Sequence, residues 1–199
     1  MLASPGKPDR PVLEWAASLD RMRQLHPAFL AGSHSRPLTG RDAIDQALAN
    51  YARAIRFVHD ETVKRINAGE PLYQIRQEVR LPPDLAAQPY LQPVYGTVEW
   101  AVNGVFRQYT GWYDFDPAHL NGGDPAPLQR ALVEAAGGPE AILQRARKAA
   151  AEGQLQLALE LAELAGDKRF RAELLERLAA QTVNGVARNI YLEAGAEAK

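Results

Sequence analysis

Histidine is the residue type in this chain best suited to metal or proton chemistry, and there are four: His26, His34, His59 and His119. A zinc ion takes about four ligands, and a hydrolytic two-metal site gathers them from several loops at once. No two of these histidines stand at the spacing of a metal-binding pair. The absence of cysteine removes thiolate ligands, thiol nucleophiles and disulfides together. His34 has the loop context of a possible ligand, in Leu30-Ala31-Gly32-Ser33-His34-Ser35-Arg36-Pro37. On the residues alone, a single histidine in a polar loop reads more simply as surface. His59, in Phe57-Val58-His59-Asp60-Glu61, stands beside two carboxylates, which favours a structural histidine–carboxylate hydrogen bond.

The other chemistry-bearing clusters are weaker. Asp114 and Asp116 are paired carboxylates, but Pro117 follows and a turn explains them more simply. Glu99 with Trp100, and the cluster Trp112, Tyr113 and Phe115, could line an apolar substrate channel or equally form core or dimer contacts. No serine has a plausible triad, and no glycine loop has the spacing of a phosphate cradle. Lys168-Arg169-Phe170-Arg171 is balanced by Glu173 and Glu176 and reads as a solvated helix face. A net charge of -1 leaves no electrostatic footprint for nucleic acid. The first ten residues carry three charges and two prolines and show no apolar signal region. No charge-free run reaches the roughly 20 residues of a membrane helix. A cytoplasmic protein without a membrane span is the expectation.

The elements that must hold these residues follow from periodicity. With 199 residues and 46% hydrophobic content, the chain can bury a sizeable core. Leu13, Ala16, Leu19 and Met22 share a helical face, Pro27 stops that helix, and Ala28 to Ala31 has the length of a buried strand. Thr39-Gly40-Arg41-Asp42 resembles a capping box, with Thr39 as the cap. The helix that follows carries Ile44, Leu48, Tyr51, Ile55, Val58, Thr62 and Ile66 in steps of three and four up to Gly69. At about 1.5 Å per residue it is roughly 40 Å long, long enough that a second chain is expected to cover part of its stripe. A short helix is expected over 72–79, another turn over 83–87, and a further helix from Val98, capped by Thr97. Residues 111–125 form the longest structureless connection. Beyond Pro127, breaks at Gly137-Gly138, Gly153, Gly166-Asp167 and Asn184-Gly185 divide four or five helices. One hairpin there is similar to a tetratricopeptide unit, with no second copy at a regular period.

The ordered motifs Leu13-Glu14-Trp15, Leu25-His26-Pro27, Ser33-His34-Ser35-Arg36-Pro37-Leu38, Phe57-Val58-His59-Asp60, Leu81-Pro82-Pro83, Tyr95-Gly96-Thr97-Val98 and Gly111-Trp112-Tyr113 run over nearly the whole chain. Together they resemble the linear alkylsulfatases of the metallo-β-lactamase superfamily. The likeness is to the end of the catalytic domain followed by the alkyl sulfatase dimerization domain. It implies a mainly α fold: an all-helical dimerization domain over 41–199, preceded over 1–40 by a short α/β remnant of the metallo-β-lactamase-type domain. It makes His34 the match to a zinc ligand, with Ser35 where glycine is usual. It places Tyr95, Trp100 and Trp112 near the substrate entrance, although Glu99 and Trp100 stand where some relatives carry a histidine. It also assigns the stripe Ile44, Leu48, Tyr51, Ile55 and Val58 to a homodimer.

Zinc is the cofactor of such enzymes, and their chemistry is hydrolysis of a sulfate ester by metal-activated water. This chain lacks their His-x-His-x-Asp-His motif, so stoichiometric zinc and catalysis are not expected of it alone. The resemblance therefore implies the carboxyl-terminal part of a zinc-dependent alkyl sulfatase, mediating homodimerisation, with the missing catalytic portion as a further partner. The alternative is a stand-alone helical dimerisation or interaction module without hydrolase activity.

Overall fold

Prolines and glycines mark most element boundaries in the computed structural model, which describes residues 4–34 and 36–197. Pro11 precedes α1 (Val12–Gln24), whose inward face is Val12 and Ala16. After Pro27 the chain forms a minimal antiparallel pair, β1 (Phe29–Leu30) and β2 (Leu38–Thr39), with Phe29 opposite Thr39 and Leu30 opposite Leu38. The buried strand expected over 28–31 is instead a two-residue rung with Phe29 59% exposed. With only one partner strand, the pair has little surface to bury against.

The helix α2 (Arg41–Asn67) runs for 27 residues, as its stripe requires. Its cap differs from expectation. Gly40, at φ 96°, occupies the N-cap position and no side chain caps the helix, so Thr39 serves as the last strand residue instead. Glycine adopts that φ without steric cost. The stripe also has a different cover from the one its length suggested. Ile44, Leu48, Ile55 and Val58 are 0–5% exposed within this single chain, with Tyr51 half-buried beside them. A second copy is not needed to cover them, because α2 packs on α1 and the hairpin and also on α5 (Val98–Thr110).

Between those helices lie α3 (Leu72–Glu78) after Pro71 and α4 (Pro83–Ala86) after Pro82. Thr97 caps α5 as its position predicts, its Oγ1 accepting the Trp100 amide at 3.1 Å. Val12, Ala16, Ile55, Val58, Ile75, Val102, Val105 and Phe106 form one core. The remaining helices are α6 (Ala126–Ala135), α7 (Pro139–Ala151), α8 (Leu155–Ala165), α9 (Lys168–Gln181) and α10 (Gly185–Glu197). Successive members from α7 to α10 pack in sequence order. Their core is alanine-rich, with Ala146, Ala149, Ala150, Ala158 and Ala162 around Leu155, Phe170 and Leu174. Small side chains let these short helices approach closely. Gly166 takes the left-handed C-cap of α8, and Asp167 caps α9 by accepting the Phe170 amide at 2.8 Å.

The chain is mainly helical and forms two compact units, residues 1–119 and 120–199. Residues up to 40 belong to the first unit, since α1 packs on α2. Among the described residues no helix is long and apolar enough to cross a membrane.

Candidate functional site

Residues Ser4-Pro5-Gly6-Lys7 make a tight turn, with the Lys7 amide donating to the Ser4 carbonyl at 3.2 Å and Gly6 at φ 71°. Proline then glycine at the two central positions is the pattern of a type II turn, whose third residue needs a positive φ. Trp100, Asn103, Gly104, Arg107 and Gly111 recur on α5 and just past its end in steps of three and four, and so share one face. The N-terminal segment lies against that face and leaves two clefts. One, of about 380 Å³, is lined by Ser4, Gly6, Lys7, Trp100, Asn103 and Arg107. The other, of about 370 Å³, has Asp9, Arg10, Gly104, Arg107, Gln108 and Trp112 among its walls.

Arg107 borders both clefts. Its Nε and Nη2 donate to the two carboxylate oxygens of Asp9 at 3.0 and 2.9 Å. This fork fixes the N-terminal segment on α5, although the Arg107 side chain is 55% exposed and the net contribution is modest. Lys7 Nζ donates to the Tyr95 hydroxyl at 3.1 Å and stands 5.6 Å from the centre of that ring. The structure thus brings Tyr95, Trp100 and Trp112 to one region: the two tryptophans border adjoining clefts, and Tyr95 meets the first through Lys7. Trp112 is 73% exposed. It leans on Tyr113, which meets Phe115, which meets the buried Phe106, all edge to face. Sequence reasoning missed Lys7, Asp9 and Arg107. The Pro5-Gly6 turn was the only local signal, because no pattern pairs Asp9 with an arginine 98 residues away.

The histidines do not converge. His34 is exposed in the loop of the β1–β2 hairpin, and its neighbour Ser35 lies outside the described residues. His26 has φ 48°, and its carbonyl accepts from Arg41. His59 is buried, with Nδ1 2.7 Å from Asp60 Oδ1 and Nε2 2.7 Å from the Tyr109 hydroxyl. That is the structural role its sequence context favours. His119 Nδ1 lies 2.6 Å from Asp114 Oδ2. That hydrogen bond, together with the charges of Asp114 and Asp116, raises the His119 pKa, and the same bond and the Asp116 amide lower that of Asp114. Asp116 accepts the Ala118 amide, so both aspartates shape the turn. Among the described residues, no three histidine, aspartate or glutamate side chains converge as a metal site. The described residues therefore offer no group of three candidate ligands that includes His34.

Comparison with known proteins places these features in a lineage. The family model described as alkyl sulfatase dimerisation matches residues 72–199. A linear primary-alkylsulfatase of Pseudomonas sp. is 34% identical over 192 residues, covering 92% of this chain and 36% of that protein. The alkyl/aryl-sulfatase of Saccharomyces cerevisiae is 30% identical over 190 residues, covering 90% of this chain and 29% of its own. The solved structure of a stereoselective inverting sec-alkylsulfatase from Pseudomonas sp. superposes with a TM-score of 0.92 at 28% identity, over 99% of this chain and 33% of that one. The chain thus spans about a third of the length of the relatives it matches.

Proposed function

The chain belongs to the alkyl sulfatase dimerisation family, and we propose that it acts as the carboxyl-terminal portion of a zinc-dependent alkyl sulfatase, holding two copies together and not hydrolysing sulfate esters by itself. The match of the family model to residues 72–199 carries this reading. Ligand counting supports the second half: His59 and His119 are each held by a carboxylate, and among the described residues His34 belongs to no group of three candidate ligands. One histidine cannot hold two zincs.

Because the α2 stripe is covered within the chain, the contact between copies is assigned to another apolar face inside the matched segment. Helix α6 has only ten residues and none of them is buried. Leu128 and Leu132, one turn apart, are 65% and 50% exposed. A helix this short is marginal on propensity alone, so its leucines call for a covering partner.

Solution mass, zinc content and dodecyl sulfate hydrolysis of the purified chain test the proposal together. The expected result is a mass twice the 21.9 kDa of one chain, no stoichiometric zinc and no turnover. Leu132→Glu is expected to give the monomer mass. A wild-type monomer overturns the dimer role, and turnover with bound zinc overturns the non-catalytic role.

The second reading is a stand-alone helical dimer. It is favoured by the fact that each of the two units has its own core. Adding the missing catalytic region of a relative as a separate chain distinguishes the two. Restored sulfate release supports the enzyme portion, and a dimer that neither binds nor activates that region supports the stand-alone module.

A further inference from the structure

Asparagine followed by glycine occurs three times in the chain, as Asn103-Gly104, Asn121-Gly122 and Asn184-Gly185. Such a pair can cyclise on itself, because glycine has no side chain to shield its own amide nitrogen and its backbone turns freely. The nitrogen must swing onto the asparagine side-chain carbonyl, which requires the main chain between them to rotate. Two of the three pairs are held against that rotation. Asn103-Gly104 lies inside α5, where helical hydrogen bonding fixes the backbone and engages the amide of Gly104, itself buried. Asn184 is 4% exposed and stands at the start of α10. Its Oδ1 accepts the Ala187 amide at 2.9 Å, and its carbonyl accepts the Arg188 amide at 2.9 Å. Asn121-Gly122 differs in each respect. Both residues are exposed and neither belongs to a helix or strand. Among the described residues, no hydrogen bond holds the Asn121 side chain or the Gly122 amide.

We propose that Asn121 is a site of spontaneous deamidation, at which the folded chain acquires an isoaspartyl residue. The Gly122 amide nitrogen gives up its proton and bonds to Asn121 Cγ; the Cγ–Nδ2 bond breaks, and the side-chain nitrogen leaves as ammonia. Water then opens the cyclic imide at either of its carbonyls, yielding aspartate or isoaspartate. The net reaction consumes one water and releases one ammonia, and it needs no oxidant or cofactor. A new carboxylate thus appears in the segment that leads into α6, and in the isoaspartyl form the main chain there gains a methylene. The enzyme class that recognises this product is a carboxyl methyltransferase specific for isoaspartyl residues. At the other two pairs the same attack waits on opening of α5 or of the first turn of α10, which costs local unfolding free energy. The site does not depend on the alkylsulfatase reading.

Peptide mass spectrometry of the full chain, aged at neutral pH and physiological temperature, tests it by following amide-to-acid conversion at all three asparagines. Methyl transfer by an isoaspartyl carboxyl methyltransferase reports the isoaspartyl form. Asn121 is expected to convert at least tenfold faster than Asn103 or Asn184 in the folded chain, and to become a methyl acceptor. In the urea-unfolded chain the three rates should come within a few-fold of one another, since the protection of the other two is structural. Gly122→Ala puts a methyl beside the attacking nitrogen at an exposed position, and should slow conversion at Asn121 at least tenfold while leaving Asn103 and Asn184 as they were. The proposal is overturned if Asn121 converts no faster than the other two in the folded chain, or if the same ranking persists in urea. It is also overturned if Gly122→Ala leaves the Asn121 rate unchanged, or if the aged chain accepts no methyl groups at that residue.

Discussion

Asp114 and His119 show how much a five-residue separation can decide in a connection that holds a single turn of 3-10 helix, Pro117–His119. Each gains the other as a partner only when the 111–119 segment folds, so each titrates differently in the folded chain. His119 has its pKa raised, so its contribution is fully present below the ordinary histidine value and is lost as pH rises through the raised one. Asp114 has its pKa lowered, so its contribution is present above the ordinary carboxylate value and is lost as pH falls through the lowered one. The pair is therefore intact from mildly acidic pH up to the folded histidine midpoint and loosens above it. A ring-proton titration should place the His119 midpoint above that of a free histidine, and Asp114→Asn should bring it back; a midpoint indifferent to that substitution refutes the pairing. His59 is the contrasting case, buried and bonded at both ring nitrogens. Tyr109→Phe should cost about 1 kcal/mol in urea unfolding and His59→Ala about 3 kcal/mol. The double variant should fall short of the sum, because both singles break the same 2.7 Å contact. Strict additivity would mean that the contact contributes nothing.

Helix starts separate what periodicity and capping chemistry could reveal from what they could not. Thr97 caps α5 because the residue before the apolar run is also the one whose backbone is extended, at φ -120°. Thr39 looked equivalent, yet it pairs with Phe29 in the hairpin, and the turn into α2 falls to Gly40 at φ 96°. A threonine is an N-cap only if the backbone is free to place it there, and a strand pairing from ten residues earlier is invisible in a capping motif. The substitutions should split accordingly. Thr97→Ala is expected to cost about 1 kcal/mol, Thr39→Ala no more than about 0.5 kcal/mol, and Gly40→Ala about 1 kcal/mol or more, all by chemical unfolding. Equal losses at the two threonines would contradict the observed caps. The same limit applies to the α2 stripe: its spacing gave the helix, its length and its buried face. It could not say whether α1, α5 or another molecule supplies the opposing surface, because contacts between distant segments leave no period in either one. The cleft residues Lys7, Asp9 and Arg107 were hidden for the same reason, whereas Trp100 and Trp112 stood out as large aromatic side chains in the sequence, without any sign of which segment they face.

At the level of the whole chain, the two cores set what a local lesion can do. Phe106 is 2% exposed at the centre of the first core, among residues from α1, α2, α3 and α5. Truncating such a ring removes its transfer free energy and leaves a cavity, a loss of about 3–5 kcal/mol. That is a large share of the stability of a unit this size. The second unit draws on a separate set of side chains, Ala146 to Leu174, none of which belongs to the first core. Phe106→Ala should therefore raise amide exchange throughout α1, α2 and α5 while leaving the slow exchangers of α7 to α9 near their wild-type rates. Exposed residues 121–125, at the start of the second unit and containing Gly122-Gly123, should be the first segment cut by a protease at low concentration. If Phe106→Ala accelerated exchange equally in both cores, the chain would be one cooperative body. The fragment readout would then fail as well, since neither half released by cleavage at 121–125 could keep its helices, and a dimer held through α6 would be lost with the first core.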